Sequence, residues 1–187
     1  MCIDEVLKLF PQDTASDWAR HSNGGGWVRK SATVAPTAYV GPDALVYGHA
    51  MVSDYVRVYD WARVCGHAWV SDRVWVSGNA WVSGNAWVSG NIRVYDRAWV
   101  SADARVSEPE HLVYLGPLGP RCDMLTAFRT KRGIQCNMGG FSGTPAVLQR
   151  RVLKTYLAGH VHREPYLHAI QFIESVFAIR RYRRLRR

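Results

Sequence analysis

The side chains able to do chemistry are few and far apart. His49 and His67 are separated by three steps of six, as are the equivalent slots at Asn85 and Asp103. Two imidazoles need a third ligand from elsewhere to hold a metal, and a cleft to serve as a general base. As members of a column shared with Asn85 and Asp103, they read as structural. His160-Val161-His162 has the alternate spacing that binds metal on a strand, but beside Gly159 it falls in a loop and is expected at the surface. Cys2, Cys65, Cys122 and Cys136 form neither a C-x-x-C pair nor a disulfide framework, and are expected as reduced thiols. No catalytic residue, metal or cofactor is assigned.

Anion binding is better supplied. Arg121, Thr126 and Arg129, with the Gly139–Thr144 loop that includes Gly140 and Phe141, could surround an anionic ligand. Backbone N–H groups at a helix start and forked guanidinium donors both suit phosphate. The alternative is that these glycines only permit turns. The final stretch carries Arg180, Arg181, Arg183 and Arg184 and could contact nucleic acid or an acidic protein surface; it could equally be a solvated end.

The net charge is +9, and six arginines fall in residues 180–187, which leaves 9 − 6 = +3 for the remainder. Any statement about charged partners therefore leans on that tail. No apolar run approaches the ~20 residues that span a membrane, and the start, Met1-Cys2-Ile3-Asp4-Glu5, is acidic rather than leader-like. The expected location is cytoplasmic, with no membrane partner.

The elements that position these groups follow from a repeat. Valine occurs at every sixth position from 28 to 106, fourteen times without a slip, and four places after each of the first thirteen stands a small or β-branched residue. A period of six fits neither a 3.6-residue helix nor a simple hairpin meander. It fits a short strand and a tight corner, three of which close a triangular coil, so that position i meets position i+18 on the next. Valine and the small residue point inward, and Asn, Gly and Asp gather at the corners, where a left-handed backbone is tolerated. Equivalent positions of successive coils should then stack in outward columns: Met51-Trp69-Trp87-Arg105, Leu45-Arg63-Trp81-Trp99 and Tyr39-Arg57-Trp75-Arg93, with a Ser53-Ser71-Ser89-Ser107 column alongside. Arginine alternating with tryptophan suits cation–π contact. The indoles, Trp69 and Trp87 above all, are expected either under the terminal segments or in a trimer interface, or else in an aromatic ligand cleft.

Outside the repeat, residues 1–27 are expected to cap the first coil. From about Glu108 the period is lost. His111–Leu115 is expected as a strand ended by Gly116–Pro120, and a hairpin flanks Lys131-Arg132-Gly133. Thr144-Pro145 starts one helix, and a second begins near Glu164-Pro165. The expected layout is a cap at 1–27, a β-helix at 28–107, a small α+β domain at 108–179 and a basic tail at 180–187.

The aliphatic residue followed by a small residue four places on, over residues 28–107, resembles the hexapeptide-repeat family. The resemblance implies a left-handed parallel β-helix, so the fold expected is mainly β, that β-helix followed by the small α+β domain. It also implies a homotrimer. The family includes acyltransferases that use coenzyme A and a histidine base, which would be His49 or His67 here. The repeat carries no inserted loop with which to shape such a cleft. The wider layout resembles a group of phage- and prophage-encoded proteins, through Gly24-Gly25-Gly26, Gly116-Pro117-Leu118-Gly119-Pro120-Arg121, Leu125–Thr130 and Gly139–Thr144. It implies a viral accessory protein, one that counters a host defence. The expected function is a non-enzymatic binding protein that sequesters an anionic or nucleotide-like ligand or blocks a host protein. The alternative is acyl transfer.

Overall fold

The computed structural model describes residues 1–184, with side chains through Ala178. The chain forms two compact units, Met1–Pro109 and Glu110–Arg187.

The first unit is a parallel β-solenoid. Its repeat begins with β2 (Trp27–Arg29). Thirteen two-residue strands, β3 to β15, follow; they start at Thr33, Tyr39, Leu45, Met51, Arg57, Arg63, Trp69, Trp75, Trp81, Trp87, Arg93, Trp99 and Arg105, and each ends on the next valine. Each strand from β2 to β12 pairs in parallel with the third strand after it, as Val46 does with Val64 and Trp75 with Arg93. Three sheets result, each a side of the prism. The valines from Val40 to Val106 are at most 2% exposed, and so are the small residues between them, so the prism is filled rather than hollow. Each buried valine contributes about 1.5–3 kcal/mol of transfer free energy.

Coils are bonded around their whole perimeter, corners included. Trp75 N–H donates to the Ile92 carbonyl at 2.8 Å, and Asn85 N–H to the Ala102 carbonyl at 2.8 Å. The residue two places after each valine has φ between 52° and 83° at ten successive corners from Gly48 to Ala102. Glycine or aspartate holds nine of these slots. Asn79, Asn85 and Asn91 stand one place beyond, so asparagine is not the left-handed residue the composition suggested. The aspartates gain a second role there. The Asp60 carboxylate accepts the Gly78 N–H at 2.9 Å and the Asp72 carboxylate accepts the Gly90 N–H at 2.7 Å, each from the next coil.

The strand edge of the first coil is met by β1 (Trp18–Arg20), which runs antiparallel to β2. A bare edge would leave N–H and C=O groups unpaired. Helix α1 (Ile3–Leu9) adds Val6 to a cluster with Trp18, Trp27 and Leu45. Buried Asp13 accepts from the Trp18 indole at 3.1 Å and pairs with Arg29 at 2.6 Å.

The second unit is an antiparallel sheet of β16 (Leu112–Leu118), β17 (Asp123–Thr130), β18 (Gly133–Met138) and β19 (Phe141–Gly143), in that order. Helices α2 (Pro145–Thr155) and α3 (Arg163–Arg184) follow. Leu125, Ala127 and Cys136 of the sheet pack with Leu148 and Val152 of α2 and Ile170, Ile173 and Phe177 of α3. Two details differ from the sequence expectation. The first strand continues through Gly116 and Pro117 by way of a register shift between Leu115 and Leu118. The segment expected as a loop, Gly139–Thr144, instead contains β19, whose Phe141 pairs with Met138.

Candidate functional site

Parallel strands two residues long place each outward side chain directly above its equivalent in the next coil. In the Tyr39-Arg57-Trp75-Arg93 column, Trp75 is in register with Arg57 on one side and Arg93 on the other. The guanidinium carbons lie 5.4 and 4.8 Å from the centroid of the Trp75 ring, within cation–π range. Arg57 also donates to the Tyr59 hydroxyl at 3.0 Å, which fixes its orientation.

Two places before each of Arg57, Trp75 and Arg93 stands another outward residue: Tyr55, Arg73 and Asn91 in turn. Between the columns lie the buried Val56, Val74 and Ile92. The two columns together line a surface cavity of about 390 Å³, formed by Tyr55, Arg57, Arg73, Trp75, Asn91 and Arg93. Three arginines and no carboxylate face it. The neighbouring corner acids are already engaged. The Asp54 carboxyl is held below its ordinary value by the Ser53 hydroxyl and then by the Asp72 N–H, and the Asp72 carboxylate is bonded to Gly90. Strands of successive coils are about 4.8 Å apart, so Arg57 and Arg93 stand about 9–10 Å apart at their backbones, with Arg73 in the coil between. Such a groove can hold a ligand carrying two anionic groups against an indole.

The repeat within it has a counterpart among known proteins. Residues 74–90 match the family model described as YdcK Beta solenoid repeat. The repeat is a β-solenoid repeat. The matched stretch contains Trp75 of the groove together with Trp81 and Trp87. No curated protein and no solved structure matches the chain.

The remaining sequence candidates are distributed as follows. Trp69 and Trp87 stack with centroids 5.3 Å apart and planes 6° from parallel, each 44% exposed, and Arg105 sits 5.5 Å over Trp87. The Trp81–Trp99 pair is looser, at 6.1 Å and 28°. Its indole N–H groups are taken up by Cys65 Sγ at 3.0 Å and Ser83 Oγ at 3.1 Å. His49 and His67 stack at 5.1 Å. Among the described residues, no group of three or more His, Cys, Asp or Glu side chains is placed to hold a metal ion.

The C-terminal candidates do not converge. Arg121 is exposed, pairs with Asp123 at 3.2 Å and lies beside the Gly139 turn, where an added Cβ would fall 3.0 Å from its guanidinium. Thr126 is fully buried in mid-sheet, opposite Asn137. Arg129 is near the far end of β17, with its guanidinium 5.9 Å from the Phe177 ring. From Asp123 to Arg129 the strand advances about 20 Å, too far for Arg121 and Arg129 to share one phosphate. Phe141 is buried beneath the Arg151 guanidinium, and Gly140 is exposed at the turn. The side chains of Arg180, Arg181, Arg183 and Arg184 lie outside the described residues.

Sequence reasoning aligned Arg57, Trp75 and Arg93 but left Tyr55, Arg73 and Asn91 unremarked. The signal was present: a second set of positions with the same coil-to-coil spacing, offset by two.

Proposed function

We propose that this chain is a non-enzymatic binding protein whose solenoid captures an anionic, nucleotide-like ligand in the Arg57–Trp75–Arg93 groove. The observation that carries this is the lining of the groove, with three arginines, an indole and a phenol, and no acid. Guanidinium groups hold phosphate bidentately, and the aromatic rings offer surface to a base. A prism with hydrogen-bonded corners is ordered before the ligand arrives, so little conformational freedom is lost on capture. The exposed Met51-Trp69-Trp87 face is where copies of the chain would meet in a homotrimer. A phage-encoded accessory role, removing a host defence signal or blocking a host protein, is supported by the resemblance of the C-terminal motifs.

The test is native mass spectrometry of protein purified at low salt, followed by calorimetric titration with ADP and with pyrophosphate. The expected result is a releasable anionic ligand, or binding of at least one probe. Arg73→Ala and Arg93→Ala should each weaken binding about 10- to 100-fold, the equivalent of one charged hydrogen bond. Unaltered affinity in both variants, or a ligand-free protein indifferent to both probes, refutes the reading.

A further inference from the structure

The loop from α2 to α3 holds two aliphatic side chains out in water. Leu157 and Val161 are 82% and 74% exposed, more than any other large apolar residue among those described. The loop is not slack. His160 N–H donates to the Leu157 carbonyl at 3.1 Å, and Arg163 N–H to the His160 carbonyl at 2.9 Å. His160 Nδ1 accepts the His162 N–H at 3.2 Å, and its ring packs 4.7 Å from that of Tyr156, which is itself set against the core. Gly159 turns the chain at a φ of 81°, and a Cβ added there would meet nothing within 4 Å. The braced tip therefore displays Leu157 and Val161 instead of folding them inward.

The helix behind the tip is cationic on its outer face. At about 3.6 residues per turn, Arg150 and Lys154 lie opposite the buried Leu148 and Val152, with exposed Val147 and Leu153 on either side. Neither cation forms an ion pair with the described residues. No Asp or Glu occurs from residue 124 to residue 163, although that stretch carries seven lysines and arginines. The first acid after it, Glu164, stands 4.0 Å from Arg163. An anionic surface approaching α2 and the tip meets cations and aliphatic groups, with no carboxylate from that stretch to repel it.

We infer that the outer face of α2 and the α2–α3 loop form a docking surface for an anionic lipid bilayer. Leu157 and Val161 enter the boundary between headgroups and acyl chains, while Arg150 and Lys154 stay at the level of the lipid phosphates, to which long basic side chains can reach. Aliphatic insertion and cationic attraction are the two signals that together hold a chain on a membrane surface when either alone is weak. A protein partner would have to supply a pocket for each protruding side chain and acids at matching points. A bilayer moulds to a projecting tip and offers negative headgroups wherever the cations fall. Surface association needs no spanning helix, so it is compatible with the lack of one among the described residues, and it revises the expectation of no membrane partner. The inference does not rest on the solenoid groove.

Co-sedimentation of the full chain with vesicles tests it, comparing phosphatidylcholine alone with equal parts of phosphatidylcholine and phosphatidylglycerol. Wild-type protein should partition onto the anionic vesicles and not onto the neutral ones. Leu157→Ser with Val161→Ser should weaken that partition about 10-fold or more, through the lost aliphatic burial. Arg150→Gln with Lys154→Gln should weaken it about 10- to 30-fold, as expected for two cations near an anionic surface. Arg73→Ala in the solenoid should change nothing, and unchanged thermal melts show that both double variants are folded. Any attraction added by the arginines of residues 180–187 is common to all variants, so the differences between variants carry the result. The inference is overturned if wild type ignores anionic vesicles at low salt, or binds both compositions equally. It is equally overturned if the Leu157 and Val161 double variant partitions like wild type. A soluble acidic, leucine-bearing peptide held as tightly as the vesicles, with the same dependence on Leu157 and Val161, would assign the face to a protein partner and overturn it too.

Discussion

Ala102 occupies a corner with φ of 55°, a conformation that the nine preceding corners reserve for glycine or aspartate. An L-residue with a plain methyl group there costs about 1–2 kcal/mol, and the side chain has no carboxylate to return a hydrogen bond. Ala102→Gly should therefore stabilise the protein. The gain is trimmed by the greater freedom glycine gives the unfolded chain, about 0.4–1 kcal/mol, which leaves a rise of up to about 1.6 kcal/mol and a few degrees in thermal midpoint. Gly84→Ala one coil earlier should do the reverse, because its new Cβ would lie 2.7 Å from the Ala102 nitrogen at a φ of +67°. Thermal unfolding of the two variants checks both signs.

At the scale of elements, the N-terminal cap depends on one buried carboxylate. Asp13 joins the loop after α1 to Trp18 of β1 and Arg29 of β2. Asp13→Ala leaves a buried indole N–H and a half-buried guanidinium without their acceptor, at a cost of about 1–3 kcal/mol. Urea denaturation should show a lower midpoint with little change in slope. The cap also marks where the sequence stops being informative. The coils were legible because valine at every sixth position fixes inward and outward faces without reference to anything distant, so the Trp69–Trp87 and Arg57–Trp75–Arg93 stacks follow from counting. Strand β1 has three residues and no repeat, and its pairing is set by the edge it covers. Strand β19 was hidden for a different reason: its flanking glycines signal a turn, and its three residues, paired to the end of β18 across a two-residue turn, are too few to show a strand alternation. The groove needed two columns to be considered together, and its arginines, at 57, 73 and 93, are scattered in the sequence and adjacent only in the coil.

Across the whole molecule, the two units differ in how acid reaches them. Three carboxyls have folded values below their ordinary ones: Glu5 through the Cys2 N–H, Asp17 through the Thr14 N–H and Asp54 through the Ser53 hydroxyl. All three lie in Met1–Pro109. A lowered folded value stabilises fully above the ordinary value, 3.8 for Asp and 4.5 for Glu, and that stabilisation is lost as pH falls through the folded one. In the second unit the shifts run the other way. Burial pushes the Cys136 thiol up to about 12 and raises the Tyr166 hydroxyl, so their contribution is complete below the ordinary values and lost in alkali. Tyr47 of the first unit is raised by burial as well, so alkali weakens both units. All eight tryptophans belong to the solenoid unit, which makes indole emission its private reporter. Emission should shift as pH falls below about 4; a flat trace to about pH 2 would contradict this assignment.

The perimeter bonding of the coils makes the solenoid a ruler graduated in whole turns. Inserting a single hexad would move every later column round to the next side of the prism, carrying Trp75 and its arginines away from their partners. Inserting a full turn would leave each side intact and add one rung. Lineages of such a chain can therefore change the length of the groove only by complete coils. A longer groove would call for one more duplication of the same stretch of coding sequence, with no new architecture.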